Sequence, residues 1–271
     1  MSRIYYDQCE IKINNTGLLA LTVNLNSDIT LGPVYTLGKR KPFKKQITTG
    51  PRNTTFQIQY VINPTGDPAF RTLSEIKNFI AAPNNYNGVT IAFAGVTGQR
   101  CYLNNYSLKV EPNNVITAQA SYITYHPLIS NSLFSTPRII NNPNNASADS
   151  IAHSSKSNLI SGRNRFDNTY SDVYNLTYTF ACNLNPIYTL GEQSPIEVKP
   201  IRAQETVTMT ENLFQDLVYT GENIPMKINM SGILDNNSFT LEMPDAYINN
   251  TTMQASLDDI IRTTKTIVQY Y

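Results

Sequence analysis

The chain has 271 residues, of which 41% are hydrophobic and 15% are charged, and its formal charge at neutral pH is +1. This charged fraction lies well below the roughly 25% of ordinary soluble domains, although enough apolar residues are present for a buried core. A nearly neutral chain excludes general electrostatic attraction to nucleic acid or to an anionic membrane. No stretch approaches the roughly 18 apolar residues of a membrane span, and the N-terminus lacks the apolar core of a signal peptide. We therefore expect folding in a cytoplasm, without a membrane partner.

Alternating apolar residues begin the chain. Ile11 and Ile13 alternate with polar residues, and a second alternating run covers residues 19–25. The sequence Asn14-Asn15-Thr16-Gly17 between them has turn chemistry, because Asn and Gly tolerate positive φ. The pattern predicts a β-hairpin, and a further alternating run over residues 54–62 predicts another strand.

One segment breaks the strand rhythm. In residues 68–83 the apolar side chains recur at helical spacing, at Phe70, Leu73, Ile76, Phe79 and Ile80. Pro68 stands near the start of this segment and Pro83 past its end, so the pattern predicts one amphipathic helix lying across a sheet. Strand patterns resume in residues 88–95, 101–110 and 114–125, and the turn residues at 111–114 predict a second hairpin.

Residues 128–172 differ from the rest in composition. They are rich in Asn and Ser and show no sustained hydrophobic period. The composition predicts a linker or a long loop, with short apolar pairs that dock on a neighbouring surface.

A repeated motif indicates internal duplication. The stretch "LGPVYTLGKRKPF" at 31–43 returns as "LNPIYTLGEQSPI" at 184–196. Each copy follows one strand pattern and precedes another, so the motif is best explained as a structural corner. The later elements also repeat in order, including a short helical pattern at 212–219 that answers the longer one.

These patterns predict a mainly β fold with one short helix per unit, arranged as two tandem, similar β-sandwich or barrel domains. The predicted boundaries are 1–127 for the first domain, 128–172 for the linker and 173–271 for the second domain. The tyrosines in the strand patterns are better explained by core and interface packing than by a ligand platform. They include Tyr35, Tyr102, Tyr106, Tyr122, Tyr125, Tyr188 and Tyr247.

Little in the sequence indicates catalysis. His126 and His153 are the two histidines, and neither has a cysteine or carboxylate at ligand spacing. Asp258 and Asp259 are an acidic pair of the kind that acts as general acid and base, but a solvated turn explains them better. The three cysteines, Cys9, Cys101 and Cys182, are odd in number and far apart, which favours reduced thiols packed as small apolar residues. We expect no enzyme activity, no catalytic residue, no cofactor and no metal.

A basic loop follows the first copy of the motif and contains Lys39, Arg40, Lys41, Lys44 and Lys45. Two explanations stay open: contact with phosphates or with an acidic patch on a neighbour, and a solvated hairpin whose lysines protect a sheet edge. The second copy carries Glu192 and Glu197 in the same region. If the two units alternate around a ring, the basic loop faces a more acidic one, which makes it a candidate subunit contact.

The element order, the repetition and the Asn/Thr-rich, weakly charged composition resemble the tail-tube and tail-hub family of tailed bacteriophages. The resemblance implies small β-sandwich modules, six of which surround a lumen, so that a chain with two modules forms the ring as a homotrimer of pseudo-sixfold symmetry. It also implies a virion structural role in the tail, assembly in the host cytoplasm, contacts with other tail or virion proteins, and passage of genomic DNA without sequence-specific binding. The long linker and the short second helix depart from the family pattern.

An alternative from another class is a β-sandwich binding module, such as a receptor-binding, adaptor or capsid-decorating virion protein. This alternative predicts a monomer or a compact oligomer with an exposed aromatic patch. The ring hypothesis predicts trimers or stacked rings.

Overall fold

The computed structural model describes residues 11–18, 20–34, 44–62, 67–81, 86–111, 116–130, 160–162, 169–170, 173–212, 221, 226–231, 238–255 and 261–271. The first half of the chain contains β1 (Ile11–Ile13), β2 (Thr16–Leu18), β3 (Ala20–Val34), β4 (Lys44–Val61), α1 (Pro68–Ala81), β5 (Val89–Phe93), β6 (Val96–Val110), β7 (Thr117–Thr124) and β8 (Ile129–Ser130). The second half contains β9 (Ile160–Gly162), β10 (Thr169–Tyr170), β11 (Val173–Ile187), β12 (Glu197–Asn212), β13 (Met226–Ser231), β14 (Ser238–Met243), β15 (Tyr247–Gln254) and β16 (Arg262–Tyr270). The prediction of a mainly β fold is confirmed.

The first hairpin has the predicted turn, but its second strand is β2, whereas the run at 19–25, its predicted partner, belongs, as far as it is described, to β3, which pairs with β4. Asn14 and Asn15 both have positive φ, at 47° and 66°, and connect β1 to β2 through the pair Ile13–Thr16. Such a two-residue turn matches the twist of the flanking strands. The Asn14 side chain also accepts a hydrogen bond from the backbone N–H of Thr90 at 2.9 Å, which ties the hairpin to β5.

Helix α1 begins and ends close to the predicted positions. Pro68 occupies its first turn, where a missing N–H costs nothing. The Asp67 carboxylate accepts hydrogen bonds from the backbone N–H groups of Ala69 and Phe70, at 2.8 and 3.0 Å, and so caps the helix. The second helical pattern, at 212–219, lies almost entirely outside the described residues and stays a prediction.

Eight strands form one antiparallel ladder in the order β3-β4-β7-β6-β11-β12-β16-β15. We call it the main ladder. Its first four strands come from the first half of the chain and its last four from the second. The two halves are therefore joined through the pairing of β6 with β11.

Each half adds a side sheet to the main ladder. In the first half, β6 turns away from the ladder and its N-terminal part pairs with β5, which continues into β1 and β2. In the second half, β10, β9, β13 and β14 form a separate four-stranded sheet. Gly98 permits the close approach of β6 to the ladder, because a Cβ at this position would lie 2.7 Å from the Phe56 ring.

One core cluster connects the two halves. It takes Phe56, Ile58 and Tyr122 from the ladder of the first half and Leu176, Phe180 and Val207 from that of the second, together with Leu73 and Ile76 of α1, Ile11 and Val89 of the first side sheet and Met226 and Leu241 of the second. Helix and side sheets thus cover one face of the main ladder. Cys101 and Cys182 are free and buried, and burial raises the pKa of the Cys101 thiol to about 12 and that of Cys182 to about 11. Both are therefore packed thiols, as expected; Cys9 lies outside the described residues.

The segment predicted as a linker contains three short strands. β8 pairs with β6, and β9 pairs with β10 and β13. Most of 128–172 lies outside the described residues, so the predicted domain boundaries stay predictions. The second copy of the repeated motif forms the end of the β11–β12 hairpin, where Gly191 has a φ of 91° and the Ile196 N–H bonds the Ile187 carbonyl at 2.9 Å. A structural corner is confirmed for this copy; the first copy falls partly outside the described residues.

The turn at Asn15 gives a test of the first hairpin. Asn15→Val is expected to lower the free energy of unfolding by about 1–2 kcal/mol, because a β-branched residue resists positive φ. Asn15→Gly should stay within about 0.5 kcal/mol of the unmodified protein, since Gly adopts this conformation freely. Urea unfolding of the two variants measures both values, and equal stabilities would contradict the turn.

Candidate assembly interface

The β6–β11 pairing is the joint between the two halves. It runs from the pair Leu176–Val110 to the pair Ala181–Asn105. On the covered face, the buried rings of Tyr106 and Tyr178 meet edge to face with centroids 6.2 Å apart. The joint is therefore a sheet continuation with a packed aromatic contact behind it.

A buried charge pair crosses this joint. Glu205 on β12 is fully buried, and the Lys77 ammonium of α1 lies 2.7 Å from its Oε1 atom. The hydroxyls of Tyr178 and Tyr271 donate to the two carboxylate oxygens of Glu205. Lys77 also donates to the carbonyl oxygen of Glu242 at 2.9 Å. Burial, followed by the charge of Glu205, raises the pKa values of both tyrosines, which keeps them neutral donors.

This cluster fastens one half of the chain to the other. Lys77 comes from the helix of the first half, whereas Glu205 and both tyrosines come from the second. Two charges withdrawn from water are tolerated only when each satisfies the other, and loss of one partner leaves an uncompensated buried charge. The cluster therefore fixes the position of α1 over the joint.

A second buried acid lies on the first-half side of the joint. The Asp67 Oδ1 atom, which caps α1, also accepts a hydrogen bond from the Tyr60 hydroxyl at 3.1 Å, and this hydroxyl lies 3.4 Å from that of Tyr106. The Oδ2 atom makes no hydrogen bond within the described part of the chain. Burial raises the pKa of Asp67 from 3.8 to about 6, although its three hydrogen bonds act in the opposite direction.

The main ladder ends in β3 and β15, which each lack a second strand partner among the described residues, although the Gly221 N–H donates a hydrogen bond to the Ile248 carbonyl of β15 at 2.8 Å. Among the described residues, β3 pairs with β4 alone, and β15 pairs with β16 alone. An unpaired edge presents a row of N–H and C=O groups that can bind another strand. Apolar side chains lie along both end strands and are exposed, among them Leu21, Leu25 and Ile29 of β3 and Met253 of β15.

The two halves of the ladder have the same strand order. In each, the two strands that flank the repeated motif come first, followed by β7 and β6 in the first half and by β16 and β15 in the second. Irregularities in register occur at matching places, between Ala20 and Thr22 and between Val173 and Asn175, and again between Leu103 and Asn105 and between Ile248 and Asn250. By this correspondence β3 matches β11, β4 matches β12, β7 matches β16 and β6 matches β15.

A short motif marks the second pair of irregularities. The sequence Tyr-Leu-Asn-Asn at 102–105 returns as Tyr-Ile-Asn-Asn at 247–250. Each copy contains the bulge of its strand, which re-aims the chain at that point. This pair was not predicted from the sequence, although the repeated four-residue string marks it.

The basic loop is described only in part. Lys44 and Lys45 begin β4, so they belong to the β3–β4 hairpin, whereas Lys39, Arg40 and Lys41 lie outside the described residues. Their role as a subunit contact stays a prediction. Of the predicted packing tyrosines, Tyr102, Tyr106, Tyr122 and Tyr125 are buried, Tyr247 is exposed, and Tyr35 is outside the described part.

Other candidate groups are scattered. His126 lies after β7, and burial and then the nearby Arg100 lower its pKa. His153, Asp258 and Asp259 lie outside the described residues. Within the described ranges, no group of three or more His, Cys, Asp or Glu side chains is placed to hold a metal ion, and no helix is long and apolar enough to cross a membrane.

The charge pair at the joint gives a prediction. Glu205→Leu is expected to lower the free energy of unfolding by about 2–4 kcal/mol, because it removes the carboxylate that pairs with the partly exposed Lys77 and accepts from the Tyr178 and Tyr271 hydroxyls. Combining it with Lys77→Met should cost roughly 1–3 kcal/mol less than the sum of the single changes. Chemical unfolding measures the cycle.

Glu75→Ala, which removes the partner of Arg71 in an exposed pair of the same helix, is the matched control and should cost less than about 1 kcal/mol. Additive single effects would contradict the coupling.

The buried cap of α1 gives a pH-dependent prediction. The folded protein holds the Asp67 proton up to about pH 6, whereas the unfolded chain releases it near 3.8. The stabilisation that this group contributes is therefore complete below pH 3.8 and is lost as the pH rises through 6. Asp67→Asn keeps a cap acceptor without a charge, so its stability relative to the unmodified protein should rise by about 1–3 kcal/mol between pH 4 and pH 7.5.

Denaturant unfolding at both pH values measures this difference. Asp67→Ala is the control, because it removes the cap acceptor and should destabilise at both pH values. A pH-independent effect of Asp67→Asn would contradict a raised pKa.

Comparisons with known proteins show no family for this chain. No family model matches the chain, and no curated protein matches its sequence. Among solved structures, the Dit protein of phage SPP1, described as a paradigm of the hub adsorption apparatus in phages that infect Gram-positive bacteria, aligns with 97% of this chain and 99% of its own. The identity is 10% and the TM-score 0.26. A likeness at this level carries no argument about the fold or the function of the chain.

Proposed function

We propose that the chain is a virion structural protein, built from two copies of one unit, that forms a ring of a bacteriophage tail tube or tail hub. The observation that carries the proposal is the match between the free and the joined edges of the main ladder. The free strand β3 corresponds to β11, and the free strand β15 corresponds to β6. The counterparts β11 and β6 are the two strands that pair with each other inside the chain.

The internal joint serves as a template for a joint between copies. Inside the chain, Tyr178 lies opposite Leu108, and both are buried. Leu25 lies as far in sequence after the β3 irregularity as Tyr178 lies after the β11 irregularity, so Leu25 corresponds to Tyr178. Met253 likewise lies as far after the β15 irregularity as Leu108 lies after that of β6, so Met253 corresponds to Leu108. Yet Leu25 is 37% exposed and Met253 52% exposed. Pairing β15 of one copy with β3 of the next, in the internal register, sets Leu25 opposite Met253 and covers both.

Such a contact joins two different surfaces and therefore repeats from copy to copy. A head-to-tail contact closes into a ring when its rotation permits, and forms a filament otherwise. Because each chain supplies two units, three copies complete a ring of six. Closure also removes both free edges, which otherwise promote uncontrolled association.

The uncovered face of the main ladder supports a lumen. Its side chains are mostly Thr, Asn, Gln and Ser, among them Thr22, Asn24, Gln57, Gln119, Thr177 and Thr208. Strand alternation places Asp28, Lys109, Arg202 and Arg262 on the same face as the charged exceptions. A polar face with few charges offers neither a cluster of phosphate contacts nor base readout, so genomic DNA passes along it without sequence-specific binding.

The remaining parts of the proposal concern partners and place. The assembled ring belongs to the tail of the virion, contacts other tail or virion proteins and forms in the host cytoplasm. It acts without catalysis and without a cofactor. These statements rest on the resemblance in sequence pattern and on the proposed ring.

A second candidate function is the β-sandwich binding module, in the role of a receptor-binding, adaptor or capsid-decorating protein. One observation favours it: Tyr247 and Tyr270 are exposed near one end of the main ladder. An exposed aromatic patch is typical of binding surfaces. A monomer with this patch permanently open would match that function.

Cysteine trapping tests the ring. In a Cys9→Ser background, Leu25→Cys with Met253→Cys should form crosslinks between copies under mild oxidation, because residues directly opposite in an antiparallel pair have Cβ atoms about 4.5–5.5 Å apart. Leu21→Cys with Met253→Cys is the matched control, since Leu21 lies four residues out of register and should not crosslink. The native Cys101 and Cys182 are buried in either protein.

The size of the product distinguishes the alternatives. Light scattering and negative-stain imaging of the crosslinked protein should give trimers with a central opening. Leu25→Lys should weaken assembly by roughly tenfold or more, because it places a charge in the joint. A chain that stays monomeric at high concentration, and crosslinks no better than the control, would contradict the ring and support the binding module.

A further inference from the structure

A pair of tyrosines in the first half is covered by a hairpin of the second half. Tyr102 and Tyr125 are only 4% and 7% exposed. They form a small apolar cluster with Val198, which is buried, and with Leu184, which packs against it. Leu184 and Val198 belong to the β11–β12 hairpin, and Tyr86 of the first half also packs here, with its ring 5.9 Å from that of Tyr102. Inside the chain, the hairpin of one half thus docks on an aromatic patch of the other.

The second half has the same patch without a cover. Tyr102 lies opposite Ile123 in β7, and Tyr247 lies opposite Val268 in β16, at the start of the repeated Tyr-Leu/Ile-Asn-Asn motif. Tyr125 and Tyr270 each follow two residues later. Tyr247 is 45% and Tyr270 68% exposed, although their counterparts are buried.

The charges beside the two patches are reversed. At the covered patch, the charge of Arg100 lowers the pKa of Tyr102 and that of Glu197 raises it, so a basic residue of the first half and an acidic residue of the hairpin, which also pairs with Lys199, both act on this hydroxyl. At the open patch, the exposed Asp245 occupies the position of Arg100, two residues before the tyrosine. At the offset of the repeated motif, Lys44 in the β3–β4 hairpin matches Glu197 in the β11–β12 hairpin. Inside the chain, the β11–β12 hairpin, which carries Glu197, lies against the patch beside Arg100. The β3–β4 hairpin, which carries Lys44, has the complementary charge for the patch beside Asp245.

We propose that Tyr247, Tyr270 and Asp245 form the docking site for the β3–β4 hairpin of a second copy of this chain. The inference rests on the proposed ring and adds a second contact to it, which selects the partner. A hairpin of the wrong half would bring like charges together at the patch, Glu197 against Asp245 or Lys44 against Arg100. Like-charge contact rejects wrong pairings as effectively as attraction favours right ones. The two units therefore alternate around the assembly, and each β3–β4 hairpin has one matching docking site on the next copy.

A tryptophan reporter tests whether the patch is covered. The chain contains no Trp, so Tyr270→Trp provides a single indole at an exposed site. In the monomer its fluorescence should be readily quenched by acrylamide. On assembly the emission should shift to shorter wavelength, and the quenching should fall to that of Tyr125→Trp, whose indole lies under the internal hairpin in both states.

Charge exchange tests the identity of the occupant. Asp245→Lys and Lys44→Glu should each weaken assembly by about tenfold, and the two changes together should restore it. Rescue by the double change identifies the β3–β4 hairpin as the group that binds the patch. Failure of rescue, or an indole at position 270 that stays open to acrylamide in the assembly, would overturn the docking site.

The outcomes separate this inference from the ring. If Leu25→Cys and Met253→Cys crosslink between copies but the indole at position 270 stays open to acrylamide, the ring proposal stands and the docking site is contradicted. Absence of assembly, with no crosslinking, overturns both. Protection of the indole by an added virion protein, but never by a second copy, would assign the patch to the binding-module function.

Discussion

The structure depends on the pairing of β6 with β11, because this is where a strand edge from each half of the chain becomes the interior of a single ladder. Edge strands carry unpaired backbone groups, and pairing satisfies them at little cost in conformational entropy once both strands are formed. The pairing brings Tyr106 against Tyr178 and lets one apolar core extend through both halves. The same pairing leaves β3 and β15 as the ends of the ladder among the described strands.

Buried polar groups determine how firmly the joint is held. Lys77 and Glu205 come from opposite sides of it, and two tyrosine hydroxyls complete the hydrogen bonding of the carboxylate. The position that corresponds to Glu205 in the first half is Thr54 of β4, beside the end strand β3, and its hydroxyl forms a hydrogen bond with that of Ser27 at 2.9 Å. The joint inside the chain thus contains a buried ion pair, whereas a joint between copies would be built around neutral hydroxyls. This difference suits a permanent contact within the chain and a later contact between chains.

Much of the fold could be predicted from local pattern. Asn14 and Asn15 form the expected turn, α1 occupies the expected segment, and the second copy of the repeated motif forms a corner. The candidate interface was harder to predict, because its residues are far apart in sequence. Leu25 lies in an alternating apolar run like that of a covered strand, whereas residues 247–254, which contain Met253, show no apolar period, so neither pattern identifies a sheet end. The pairing of Lys77 with Glu205 could not be predicted from the sequence either, because each residue by itself has the pattern of an ordinary surface charge.

The sequence by itself determined the β-rich composition, the repeated order of elements and the change of charge between the two hairpins. These properties depend on residues close along the chain, or on comparing one stretch with another. Only the tertiary structure decided that the halves share one ladder, which tyrosines are covered, and which edges stay free. Those outcomes depend on how distant strands compete for the same backbone partners, and a strand pattern specifies its own faces but not its neighbours.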